Sequence, residues 1–367
     1  MTARPTTGRP TTGRRARLRT ALATAALATT LFTAAPAAHA DTAVPPTLTN
    51  GFGLTQVGSP VVHSATDFSI TVTTPQLSGT HEIRIFLPKD YAAEPGKRWP
   101  VVYFLHGGAG TADDAAAAPA LHSDSAITVA PDGGLKGWYA DWVMQNTVLG
   151  AANWQTFHLD QVVPFIDANL RTLTDRAHRA VVGLSMGGYG ALHYAEARPD
   201  LFGHTASLSG GIDLDQVAIR GTVVATELNL PNAICAASTS GLNAGGCATY
   251  GPVVDSDAVF GSPYPVFGAD HVWTELNPAS PANLAKLANT GIDLYTGTTA
   301  PIDAFTAIAS HTVKDRLDQL GIPSRLDDYG NGSTLSPTCD GGHDYGCWAP
   351  AFADYMPRLQ AEFDAAN

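Results

Sequence analysis

"VVGLSMGGYGAL", residues 181–192, decides how this chain is read. Its first half is apolar and β-branched, its centre is Gly183-Leu184-Ser185-Met186-Gly187, and its second half has helical spacing. A strand that turns sharply at a serine and restarts as a helix forces the hydroxyl outward, and small flanking residues let backbone segments pass closely. The helix start adds unpaired N–H groups beside that hydroxyl. A bare G-x-S-x-G is a weak signal in a chain with 36 glycines; the strand before it and the helix after it give it weight. Ser185 is therefore the candidate nucleophile, and the Met186 N–H a candidate donor to a developing oxyanion.

Outward from the elbow, strands and helices alternate. Strand-like runs cover 68–74, 81–88, 99–108, 126–131, 179–185, 204–210, 292–297 and 324–330. The central ones are continuously apolar, as strands buried on both faces tend to be. Helical periodicity covers 154–173, 187–199, 304–320 and 349–366. The pattern predicts a mostly parallel sheet with helices on both faces and an antiparallel edge from the early pair. Residues 211–280, rich in Gly, Asn, Ser and Pro, break the rhythm. They read as an insertion over the carboxyl edge of the sheet, where ligands bind in such folds, and not as a second domain.

A serine needs a base, and with this elbow the partners follow in the order Ser, acid, His. His343, in the Gly-rich loop between the last strand and the last helix, is the candidate base. His193 and His311 fall in helices and His204 at the start of a strand. Asp303, just beyond the strand "IDLYTG", is the candidate acid, with Asp213 and Asp215 as alternatives. "LHGGAG" ends the 99–108 strand, and its Gly108 N–H, with Gly107 next, is the second oxyanion donor. In "GWYADW" (137–142), Trp138, Tyr139 and Trp142 either line an acyl or acceptor groove or pack the core.

The ends and the composition bound the setting. "RRARLR" (14–19), an Ala-rich apolar run and "AHA" (38–40) have the three parts of a secretory signal peptide, residues 1–40. Arg14-Arg15 leaves twin-arginine export open beside the ordinary route. Residues 41–65 read as an extended entry and 66–367 as one catalytic domain. The chain has 33 Asp+Glu against 21 Lys+Arg, six of the latter in the leader. Such an acidic surface repels nucleic acid and anionic lipid, and no segment after the leader is apolar for long enough to span a bilayer. In an exported protein four cysteines suggest two disulfides. Of three pairings, the neighbours Cys235 with Cys247 and Cys339 with Cys347 are favoured. Their spacings do not suit zinc, and no metal or organic cofactor is expected.

"GWYADW", "WQTF", "GLSMGGYGALHYAEARPDLFGHTASLSGGID" and "GGHDYGCW", in this order along the chain, resemble the putative-esterase branch of the α/β hydrolases. That branch includes the actinobacterial antigen 85-type mycolyltransferases, esterase D-like S-formylglutathione hydrolases and secreted tributyrin-type esterases. The resemblance implies an α/β-hydrolase fold, with Ser185, Asp303 and His343 as triad, Gly108 and Met186 as oxyanion donors, and Trp348 as the Trp closing the His block. "SMGG" is more like the esterases, and "GGAGTADD" has no arginine that would match a transferase acceptor contact. The implied function is a secreted esterase acting on small-molecule or lipid acyl esters. Acyl transfer to a sugar or glycerol hydroxyl is the alternative.

Overall fold

The computed structural model describes residues 45–231 and 249–366. An antiparallel wing opens the sheet with β1 (Thr55–Gln56), β2 (Val61–Ser64), β3 (Asp67–Thr74) and β4 (Leu77–Phe86). Residues 41–65, read as extended, thus contribute two short strands, both paired with β3. β4 joins the wing to β6 (Ile127–Pro131). From there the strands are parallel, with β5 (Val101–Leu105), β7 (Arg179–Leu184), β8 (His204–Leu208), β9 (Gly291–Gly297) and β10 (Arg325–Gly330). The order is β1-β3-β4-β6-β5-β7-β8-β9-β10.

The central strands are apolar throughout because each face has its own core. On β5, Val101, Tyr103 and Leu105 enter one cluster, while Val102 and Phe104 enter the other. The first cluster takes Tyr189 and Leu192 from the elbow helix Met186–Ala197 and Val313 and Leu317 from Asp303–Gln319. The second takes Trp348, Phe352, Tyr355, Leu359 and Phe363, a stripe at helical spacing along Tyr345–Ala365. Each large side chain so buried contributes about 1.5–3 kcal/mol.

Two element boundaries differ from the sequence reading. The single helix expected over 154–173 is a short turn, a wider turn over Phe157–Val162 and a helix Val163–Asn169. Pro164 has no N–H to continue the ladder, and the wider turn just before it absorbs the break. The last helix starts at Tyr345 and not at 349, because the Asp344 carboxylate accepts from Gly346 N–H (2.7 Å) and caps it. The Cys339–Cys347 disulfide is present, while Cys235 and Cys247 lie outside the described residues. The 211–280 segment contributes the helix Val217–Glu227 between β8 and β9. Among the described residues no helix is long and apolar enough to cross a membrane.

Candidate active site

Parallel strands end in loops at one edge, and four of those loops meet here. Ser185 sits between β7 and its helix at φ 54°, ψ −120°. A non-Gly residue at positive φ is strained, and its neighbours explain why it is held there. A Cβ on Gly187 would run into the Leu105 carbonyl, and one on Gly183 into the backbone of Gly187. The Ser185 N–H donates to Leu208 O (2.9 Å), fixing the turn to β8.

His343 Nε2 lies 2.8 Å from Ser185 Oγ, and its Nδ1 lies 3.4 Å from Asp303 Oδ1. Asp303 is fully buried as the first residue of its helix, where the helix dipole favours a carboxylate. Its Oδ1 also accepts from Thr306 Oγ1 (2.9 Å). The imidazole is walled by the Trp348 ring, edge to face at 4.8 Å between centroids. Its loop is stitched to the loop after β9: Thr299 N–H donates to Gly341 O (3.0 Å) and Thr299 Oγ1 to Asp340 O (2.8 Å). Gly341, at φ 78°, packs too closely on Gly330 O for any side chain. The remaining histidines are elsewhere: His193 bonds Gln155, His204 pairs with Glu362 and His311 with Asp328. Asp213 accepts from Asp215 N–H in its own turn.

A cavity of about 530 Å³ opens onto Ser185 and is lined by Gly107, Gly108, Met186, His343, Trp138 and Trp348, among others. Among the described residues no acceptor pairs with the Gly108 or Met186 N–H. Of Trp138, Tyr139 and Trp142, the last two do not line this space. Tyr139 is fully buried under the elbow helix, its hydroxyl donating to His106 O (2.9 Å), and Trp142 donates to Gly137 O (3.0 Å). Gly190 leaves room for the Tyr139 ring, whereas Trp142 lines a neighbouring, smaller cavity. Trp138 reaches the cavity and donates to Thr226 Oγ1 (3.0 Å).

Several lining residues carried no sequence signal. Thr222, Thr226 and Tyr250 come from the segment between β8 and β9. Asp114 lines the opposite wall, its carboxyl pushed up by burial. His106 was visible only as the first letter of H-G-G. It is fully buried; its Nε2 accepts from Gly133 N–H (2.8 Å), so Nδ1 carries the proton and donates to Gly107 O (2.8 Å). Neither possible metal-binding grouping among the described residues lines the cavity: His63 and Glu82 on the wing meet Asp113 from the turn after β5, and Asp340, Asp344 and Cys347 flank His343 in its own loop, where Cys347 is disulfide-bonded.

Residues 74–359 match the family described as "Putative esterase". Esterase Rv1288 of Mycobacterium tuberculosis (strain ATCC 25618 / H37Rv) is 31% identical over 262 residues, 70% of this chain and 53% of that protein. The chain thus spans about half the length of this curated relative. Diacylglycerol acyltransferase/mycolyltransferase Ag85A of Mycobacterium ulcerans is 37% identical over 98 residues, 25% of this chain and 28% of that one. The crystal structure of Mycobacterium tuberculosis MPT51 has a TM-score of 0.58 at 20% identity, covering 80% of this chain and 97% of that one. That likeness speaks to the fold, which is of the α/β-hydrolase type read from the sequence.

Proposed function

Because this chain belongs to the family described as "Putative esterase", we propose that it is a secreted serine esterase acting on carboxylic acyl esters. The observation that carries the reading is the 2.8 Å contact of His343 Nε2 with Ser185 Oγ, beside a buried Asp303. In the proposed reaction Ser185 attacks the ester carbonyl while His343 takes its proton. Asp303 orients the imidazole and stabilises its charged form without itself taking the proton. The tetrahedral oxyanion accepts from the Gly108 and Met186 amides. Collapse expels the alcohol, protonated by His343, and water activated by the same base then releases the acid from Ser185.

The proposal includes export by residues 1–40, an extended entry over 41–65 and one catalytic domain over 66–367 with an insertion at 211–280. Its partners are small-molecule or lipid acyl esters. Labelling with a fluorophosphonate tests the nucleophile: wild type reacts and Ser185→Ala does not. Equal labelling of the two would overturn the reading.

A second reading, transfer of the acyl group to a sugar or glycerol hydroxyl, is favoured by the stretch similar to Ag85A. Hydrolysis and transfer differ only in which nucleophile reaches the acyl-enzyme. A p-nitrophenyl ester series with and without trehalose or diacylglycerol separates them. Free acid as main product supports the first, acylated acceptor the second.

A further inference from the structure

A smaller cavity, about 170 Å³, adjoins the one at Ser185: Leu135 and Tyr250 line both. Its apolar walls are Trp142, Leu149, Ala152 and Trp154, and its polar groups are Ser78, His81 and Asp132 on and beside the wing with Lys136, whose Nζ donates to the carbonyls of Thr226, Glu227 and Pro252. An apolar cavity of about 150 Å³ holds a benzene ring, so this one has room for a single six-membered ring.

Two groups point to what the ring carries. Trp154 is only 8% exposed, yet its indole N–H donates to no acceptor among the described residues. The nitrogen keeps some accessible surface, so on the cavity wall its N–H is free for an acceptor. Asp132 accepts from Gly134 N–H at Oδ1 (2.8 Å) and holds His81 Nδ1 at Oδ2 (2.8 Å). Each carboxylate oxygen has a further lone pair, and the side chain keeps 23% of its surface open. Ser78 Oγ accepts from Ala151 N–H (3.0 Å) and has its own proton to give.

We propose that this cavity is a subsite for a hydroxylated six-membered ring of the ester substrate, its hydroxyls donating to Asp132 and accepting from Trp154. That the ring belongs to the substrate rests on the esterase reading; that the cavity binds it does not. A phenol and a sugar ring share this chemistry, and the test has an arm for each.

In ¹⁵N-labelled protein the Trp154 indole resonance, assigned by its loss in Trp154→Phe, is followed against 4-methylphenol, methyl β-D-glucopyranoside and toluene. At least one hydroxylated ring shifts it, and binds about tenfold or more tighter than toluene, the discrimination expected from hydrogen bonds to a charged group. Ala152→Leu, or the half-buried Ala151→Leu should that variant not fold, fills the space. It weakens ring binding by about tenfold or more, while a fluorophosphonate still labels Ser185, which shows that the variant is folded. No shift with either hydroxylated ring, equal binding of toluene, or unaltered binding by the filled variant overturns the subsite. Ring binding without Ser185-dependent hydrolysis overturns the esterase reading alone.

Discussion

Gly107 and Gly108 share one peptide plane, and His106 holds that plane from behind. In a trans peptide the C=O and the following N–H point in opposite directions. By donating to Gly107 O, which also accepts from Gly110 N–H (3.1 Å), His106 helps turn the Gly108 N–H towards the cavity where the oxyanion would form. We expect His106→Ala to lower kcat with KM nearly unchanged, approaching the about 10²–10³ that loss of one oxyanion donor costs. Affinity for a boronate transition-state analogue would fall in parallel; if KM rose instead and the analogue bound as before, the grip would be merely structural. The triad candidates were legible as residue types in the right order. The grip of His106 was not, because it depends on Gly133, twenty-seven residues away.

At the scale of elements, the loop Cys339–Cys347 carries the candidate base between two anchors. The disulfide closes it from one side, and Thr299 ties it to the loop after β9 from the other. For so short a loop, chain entropy gives about 2–3 kcal/mol of global stabilisation. The local consequence is larger, since Gly341 and Gly342 would otherwise leave His343 free to leave hydrogen-bond range of Ser185. Cys339→Ser with Cys347→Ser should therefore reduce turnover more than melting temperature. Unchanged turnover with a large loss of melting temperature would make the bridge plain scaffolding. The cysteine spacing announced this bridge. Nothing in the spacing announced Thr299, whose two bonds exist only because β9 and β10 are neighbours.

For the whole molecule, buried ionisable groups set how stability varies with pH. Glu196, on the elbow helix, is 3% exposed with no partner for either oxygen among the described residues, and burial pushes its carboxyl well up. The folded chain keeps that proton while the unfolded chain releases it near 4.5, so stability falls as pH rises above that value. Glu196→Gln lacks this slope, and its unfolding free energy relative to wild type should climb between pH 5 and 8, by up to about 1.4 kcal/mol per pH unit, read from denaturant melts at each pH. A constant difference would show that Glu196 is ionised in the fold. Burial acts the other way on His193, pushed down to about 4 from 6.5. It stays neutral in the fold while the unfolded chain protonates, so stability is lost as pH falls from 6.5 towards 4, and His193→Gln should flatten that acid limb.

The sequence by itself determined the parallel sheet, the elbow at Ser185, the placement of His343 in a loop and of Asp303 just beyond β9 at one edge, and the local Cys339–Cys347 pair. These rest on short-range patterns: apolar runs, glycines where backbones cross, and chain order along an alternating fold. It left Tyr139 and Trp142 open between groove and core, and it was silent on His106, Thr299 and the second cavity. Each of those depends on which distant segments pack together. An aromatic residue lines a cavity or fills a core according to the neighbours that reach it first, and only the tertiary structure brings the neighbours.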